Sequence, residues 1–62
     1  MTAKEFVRQR YPGTKSEKYR TRTGFHYYTY YLIRDGNSFM YIAEGETEAK
    51  AWKNAKEKIE KL

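Results

Sequence analysis

Seven residues between positions 15 and 30 carry the side chains best suited to chemical work, namely Lys15, Lys18, Arg20 and Arg22, then His26, Tyr28 and Tyr30. Cations of this kind meet the phosphates of a nucleic acid, and the planar arginine fork suits them best. Aromatic rings exposed beside such cations stack on unpaired bases, while arginines on a strand can lie in a groove and read base edges or shape. His26 would add a phosphate contact on protonation as pH falls. A plainer reading uses the same residues: tyrosines belong in strands, where they build a hydrophobic face, and arginines merely solvate a strand edge.

Catalytic chemistry has little to work with. The chain has no cysteine, which excludes disulfides, thiolate metal sites and thiol nucleophiles, and its single histidine would need carboxylates to complete any metal site. Ser16, Ser38 and the threonines lack a nucleophile-elbow setting, and the chain is too small to enclose a triad pocket. Gly13, Gly24, Gly36 and Gly45 fall at element boundaries and read as turns, not as a phosphate-binding loop. His26 with Tyr28 or Glu17 is the one conceivable acid-base pair, against the ordinary role of an isolated histidine as a half-buried or surface polar aromatic. The expectation is a binding protein and not an enzyme, with no catalytic residue, cofactor or metal assigned.

Charge supports a binding role. Residues 1–36 hold eight lysines and arginines against three acids, a net +5, whereas residues 37–62 hold five of each and sum to zero. One-sided charge creates a local positive potential that attracts polyanions, although small basic domains also use surplus charge for solubility. No run approaches the roughly 20 apolar residues of a membrane helix. The longest, Phe25 to Ile33, is rich in tyrosine. No membrane contact is expected, and the cytoplasm is the simplest location.

These side chains must be positioned by a single small domain spanning residues 1–62. The expected class is α+β, in the order helix, three-stranded antiparallel sheet, helix, with both helices on one sheet face. The first helix covers residues 2–11: Thr2 and Glu5 have capping-box spacing, Phe6 and Val7 share a side, and Pro12-Gly13 ends it. A first strand at about 15–22 has no aliphatic residue and places Lys18, Arg20 and Arg22 on one side, as an edge strand or a basic loop would. Phe25 to Arg34 is the strongest strand signal, followed by a turn at Asp35-Gly36-Asn37 and a strand at 38–43.

A two-residue loop there would put His26, Tyr28, Tyr30 and Leu32 on one face with Phe39, Tyr41 and Ala43. The other face would carry Phe25, Tyr27, Thr29, Tyr31 and Ile33 with Met40 and Ile42. The Tyr31, Ile33, Met40 and Ile42 face, richer in aliphatics, is the expected buried one. The last helix, 47–61, starts at Thr47 and shows a stripe of Ala49 (or the stem of Glu48), Trp52, Ala55, Ile59 and Leu62, with Trp52 at the core's centre. With eleven aromatics and few aliphatics, the chain cannot cover both sheet faces, so tyrosines and arginines remain on the open one.

The order of elements, and the spacing of Ala49, Lys50, Trp52, Ala55, Ile59 and Leu62 after Gly45, resembles the double-stranded-RNA-binding domain. That resemblance implies lysines holding phosphates at the start of the second helix. Here the stretch reads Glu46, Thr47, Glu48, Ala49, Lys50, with acids at the first of those places. Roughly residues 18–60 also resemble the three-stranded-sheet DNA-binding domains of phage-type integrases and plant transcription regulators: an aromatic-rich strand, an Asp-Gly turn, a short strand ending in glycine, then Thr-Glu-Ala opening an alanine-rich helix. This second resemblance implies a sheet in the DNA major groove, with Arg20, Arg22, Tyr28 and Tyr30 as contacts and Gly45, Thr47, Glu48 and Ala49 as fold signals. A chain of this size would then be an accessory or regulatory protein of a phage or mobile element.

The expected partner is DNA or RNA, duplex DNA being favoured. The alternative is an acidic protein partner, bound as an inhibitor or adaptor would bind it, through the exposed tyrosine-rich face, since tyrosine and arginine also dominate protein hot spots. Homodimerisation through the open face or the basic edge is compatible with either.

Overall fold

The computed structural model describes residues 1–37 and 40–61, and its elements run α1 (Ala3–Arg10), β1 (Thr14–Thr23), β2 (His26–Asp35), β3 (Met40–Gly45) and α2 (Glu48–Glu60). Both helix starts form as the caps dictate. The Thr2 hydroxyl accepts from the Glu5 N–H at 3.2 Å, and the Thr47 hydroxyl accepts from the Lys50 N–H at 3.1 Å. The three strands lie in the order β1-β2-β3, all antiparallel. The helices form the second layer: α2 packs on β3 and β2, and α1 packs on α2. The expected helix, sheet, helix architecture is therefore the observed one.

The core is small and lies between the helices and the closed end of the sheet. Val7, Ile33, Ile42, Ala43, Ala51, Trp52, Ala55 and Ile59 are buried, with Phe6, Tyr11 and Tyr31 packed at its margin. Gly45 explains how α2 comes so close to β3: a Cβ there would lie 2.6 Å from the Ala51 backbone nitrogen, a contact no side chain tolerates. Ala51 consequently faces the sheet, and Ala49, expected on the buried stripe, is exposed.

A β-bulge corrects the expected face assignment. Asp35 pairs with Met40, so the connection is longer than a two-residue loop, and the register then shifts between Ile33 and Arg34. The bulge leaves Ile42 as the extra residue, which lets Ile42 and Ala43 both point inward even though they are adjacent. Ala43, expected on the open face, is buried, and Met40, expected in the core, is 43% exposed at the sheet margin. Ile33 and Ile42 are buried as expected, and Tyr31 is partly buried against the core. Ser38, Phe39 and Leu62, which the expected third strand and helix stripe included, lie outside the described residues.

β1 and β2 outrun everything else. The last β3 residue, Gly45, pairs with Tyr31, and beyond that point only β1 and β2 continue, to the pair Thr23 and His26. Five residues of each strand at about 3.3 Å per residue give a two-stranded ribbon about 16 Å long, which accounts for the molecule's 39 Å long axis against widths of 22 and 18 Å. Gly24 and Phe25 close it as a two-residue turn, with Gly24 at φ 62°, the left-handed conformation that a primed hairpin turn requires at that position. Phe25, expected to begin the strand, is the apex of this turn.

Candidate nucleic-acid interface

The β1–β2 register decides which candidate residues share a surface. Tyr19 faces Tyr30, Thr21 faces Tyr28 and Thr23 faces His26, whereas Lys18, Arg20 and Arg22 face Tyr31, Thr29 and Tyr27. Directly opposed residues lie on the same face and neighbours on opposite faces. Lys15, His26, Tyr28 and Tyr30 therefore lie on the open face, and Lys18, Arg20 and Arg22 lie on the face that the helices cover farther down. The expectation that the arginines and tyrosines share the open face is overturned by this alternation. The seven residues fall on two sides of one ribbon.

The cationic side is exposed because α2 stops short of it. Arg20 and Arg22 set their guanidinium groups 4.8 and 5.8 Å from the centre of the Tyr27 ring, a cation–π arrangement that fans both cations over one aromatic plate. Tyr27 is itself 57% exposed. The Arg22 Nε also donates to the Gly24 carbonyl at 2.7 Å and so holds the turn. Among the described residues none of Lys18, Arg20 and Arg22 forms an ion pair. From Lys18 to Arg34 the chain contains no acidic residue.

On the open side three rings form a row. Tyr19 and Tyr30 stack with centroids 5.5 Å apart and planes 18° apart, and Tyr28 follows Tyr30 at 6.4 Å. A polar network fixes the inner end. The Tyr19 hydroxyl donates to Glu17 Oε2 at 2.8 Å, while Arg34 donates to Glu17 Oε1 from Nε at 3.0 Å and to the Tyr19 hydroxyl from Nη2 at 3.1 Å. Arg34 is thereby neutralised as a phosphate ligand. An open cleft of about 690 Å³ lies beside the row where β3 ends, lined by Tyr28, Thr29, Tyr30, Thr21, Glu44 and Glu46. Its two carboxylates, together with Glu48 at the start of α2, make the foot of the ribbon acidic while its outer part is basic.

The Glu17 network makes stability depend on pH. The hydrogen bond from Tyr19, then the Arg34 hydrogen bond and charge, hold the Glu17 carboxyl below the ordinary carboxylate value against the opposing effect of burial. The same bond to Glu17 pushes the Tyr19 hydroxyl up. A lowered carboxylate contributes stability above its unfolded value and loses it as pH falls through the folded one; a raised tyrosine contributes below its unfolded value and loses it as pH rises. Glu17→Gln should therefore lower the melting temperature at neutral pH and narrow its gap to the parent on acidification into the carboxylate range. A gap that does not change with pH would contradict the network.

Sequence reasoning alone leaves Tyr19, Glu17, Arg34, Tyr27 and Phe25 outside the candidate interface. The spacing of Glu17 and Tyr19 by two, on a strand opposite Arg34, is the signal for the network, and it becomes visible only once the strand register is known. No protein family, curated protein or solved structure matches the chain. Among the described residues no helix is long and apolar enough to cross a membrane, and no three His, Asp or Glu side chains gather as a metal-binding group would require.

Proposed function

We propose that the protein binds duplex DNA by inserting the outer β1–β2 ribbon end-on into the major groove. The observation that carries this reading is the acid-free ribbon projecting past the helices, with Arg20 and Arg22 on one face and Lys18 at its foot on the same face, none of them in an ion pair among the described residues. A major groove about 12 Å wide admits a two-stranded ribbon, and the minor groove, about 6 Å wide, does not. A groove has two phosphate walls and the ribbon two faces. The cationic face meets one wall, and the Tyr28 and Tyr30 hydroxyls with His26 meet the other, since tyrosine hydroxyls also bind phosphate oxygens. Glu44, Glu46 and Glu48 at the ribbon's foot repel phosphate, which favours an end-on approach over one in which the DNA lies along the whole sheet.

A second reading, protein binding, draws on the open face: a stacked row of tyrosines with Arg34 neutralised suits a partner's apolar groove, while the basic face steers encounter with an acidic protein. The two readings separate in one experiment, binding of labelled duplex DNA, duplex RNA and single-stranded DNA at about 50 mM salt. Preference for duplex DNA is expected. Changing Tyr28 and Tyr30 together to serine should weaken that binding and leave its salt dependence unchanged. Absence of binding to all three nucleic acids would promote the protein partner.

A further inference from the structure

Phe25 contributes nothing to the core. It is 92% exposed at the apex of the ribbon, and among the described residues it has no ring or cation partner. The apex is nevertheless held firmly: Gly24 adopts the positive φ of the turn, the Arg22 Nε bonds to its carbonyl, and both arginines are drawn aside onto Tyr27. A phenyl ring placed in water on a fixed arm is unfavourable until apolar surface covers it. Resting on the end-on reading, we infer that Phe25 is a base-reading residue that selects thymine through its 5-methyl group.

The geometry leads there in two steps. With the ribbon's faces turned to the phosphate walls, the apex points to the groove floor. That floor presents hydrogen-bond donors and acceptors from every base, and its apolar feature is the thymine methyl. Phe25 has no donor or acceptor with which to use the former. Covering the methyl removes apolar surface from water on both partners, whereas the same ring over guanine, cytosine or adenine edges strands polar groups without partners.

The test changes that methyl alone. Parent protein and Phe25→Ser are titrated against an alternating A·T duplex and its twin with every thymine replaced by uracil, and against an alternating G·C duplex with and without 5-methylcytosine. The parent should bind the thymine duplex about fourfold more tightly than the uracil duplex, the worth of one buried methyl-sized group, and should favour methylated over unmethylated G·C by about the same factor. Phe25→Ser should show neither preference and should keep the parent's salt dependence, because no charge changes. Equal affinity of the parent for thymine and uracil duplexes would overturn the inference while leaving DNA binding intact. So would a thymine preference that survives in Phe25→Ser. Failure of the parent to bind any of the duplexes would overturn the DNA-binding reading and this inference with it.

Discussion

Replacing Trp52 with alanine is expected to unfold the protein. The indole is 4% exposed between the sheet and α1, flanked by Ala51 and Ala55, and its Nε1 donates to Glu48 Oε1 at 3.3 Å. Glu48 accepts in turn from the Ser16 hydroxyl at 3.2 Å, so the same carboxylate ties α2 to β1. Lys4 and Arg8 of α1 lie 5.8 and 6.0 Å from the ring, and their stems shield it from water. Truncating a buried tryptophan costs about 3 to 5 kcal/mol, and a single core of this size supplies about as much in total. Loss of the cooperative thermal transition in circular dichroism is the expected result, with Trp52→Phe retaining it at a lower midpoint. A Trp52→Ala protein that melts like the parent would contradict this packing.

The second large effect concerns binding. Arg20→Ala combined with Arg22→Ala removes two cations that form no ion pair among the described residues. The Arg22 bond to the turn and the packing on Tyr27 go with them, but the core between helices and sheet is untouched and the fold should survive. Each phosphate contact contributes about −0.9 to the slope of log affinity against log salt, so the double variant should flatten that slope by about 2 units. Affinity should fall for all duplex sequences alike, since contacts to phosphate position a protein without specifying bases. Lys15→Ala provides the contrast. Lys15 lies on the open face beside Glu17, near the end of β1 remote from the ribbon, and its loss should leave the slope nearly unchanged. A double variant with the parent's slope would place the phosphate contacts elsewhere on the molecule.

Local chemistry made much of the fold legible in the sequence. Thr2 and Thr47 announce their helices, the glycines punctuate the chain at element boundaries, and the Trp52, Ala55, Ile59 stripe points to the sheet. Three features required the chain in three dimensions. The bulge at Ile33 and Arg34 shifts the register by one residue, which turns Ala43 inward beside Ile42, while Met40 keeps its expected side but lies at the sheet margin; nothing in the alternation of β3 marks the bulge. The extent of helix cover is set by where Gly45 brings α2 against β3, so Tyr27 lies on the core side of the sheet yet projects beyond the core. Alternation within β1 shows that Lys18, Arg20 and Arg22 share a side, but which side depends on the β1–β2 turn. A lone glycine marks such a turn without fixing its length. The candidate residues are thus identifiable by type and spacing, while their division between two faces of a ribbon is not.

That division underlies the functional claim that three cations on one face of β1, Lys18 at the foot of the projecting ribbon and Arg20 and Arg22 on it, engage the phosphates of duplex DNA. The most direct measurement is fluorescence anisotropy of a labelled duplex titrated with the parent protein at several salt concentrations. Three contacts predict a log-log slope of about −3 for B-form DNA, with affinity falling steeply between about 50 and 200 mM salt. Binding whose strength does not vary with salt, or no binding at about 50 mM, would contradict the claim.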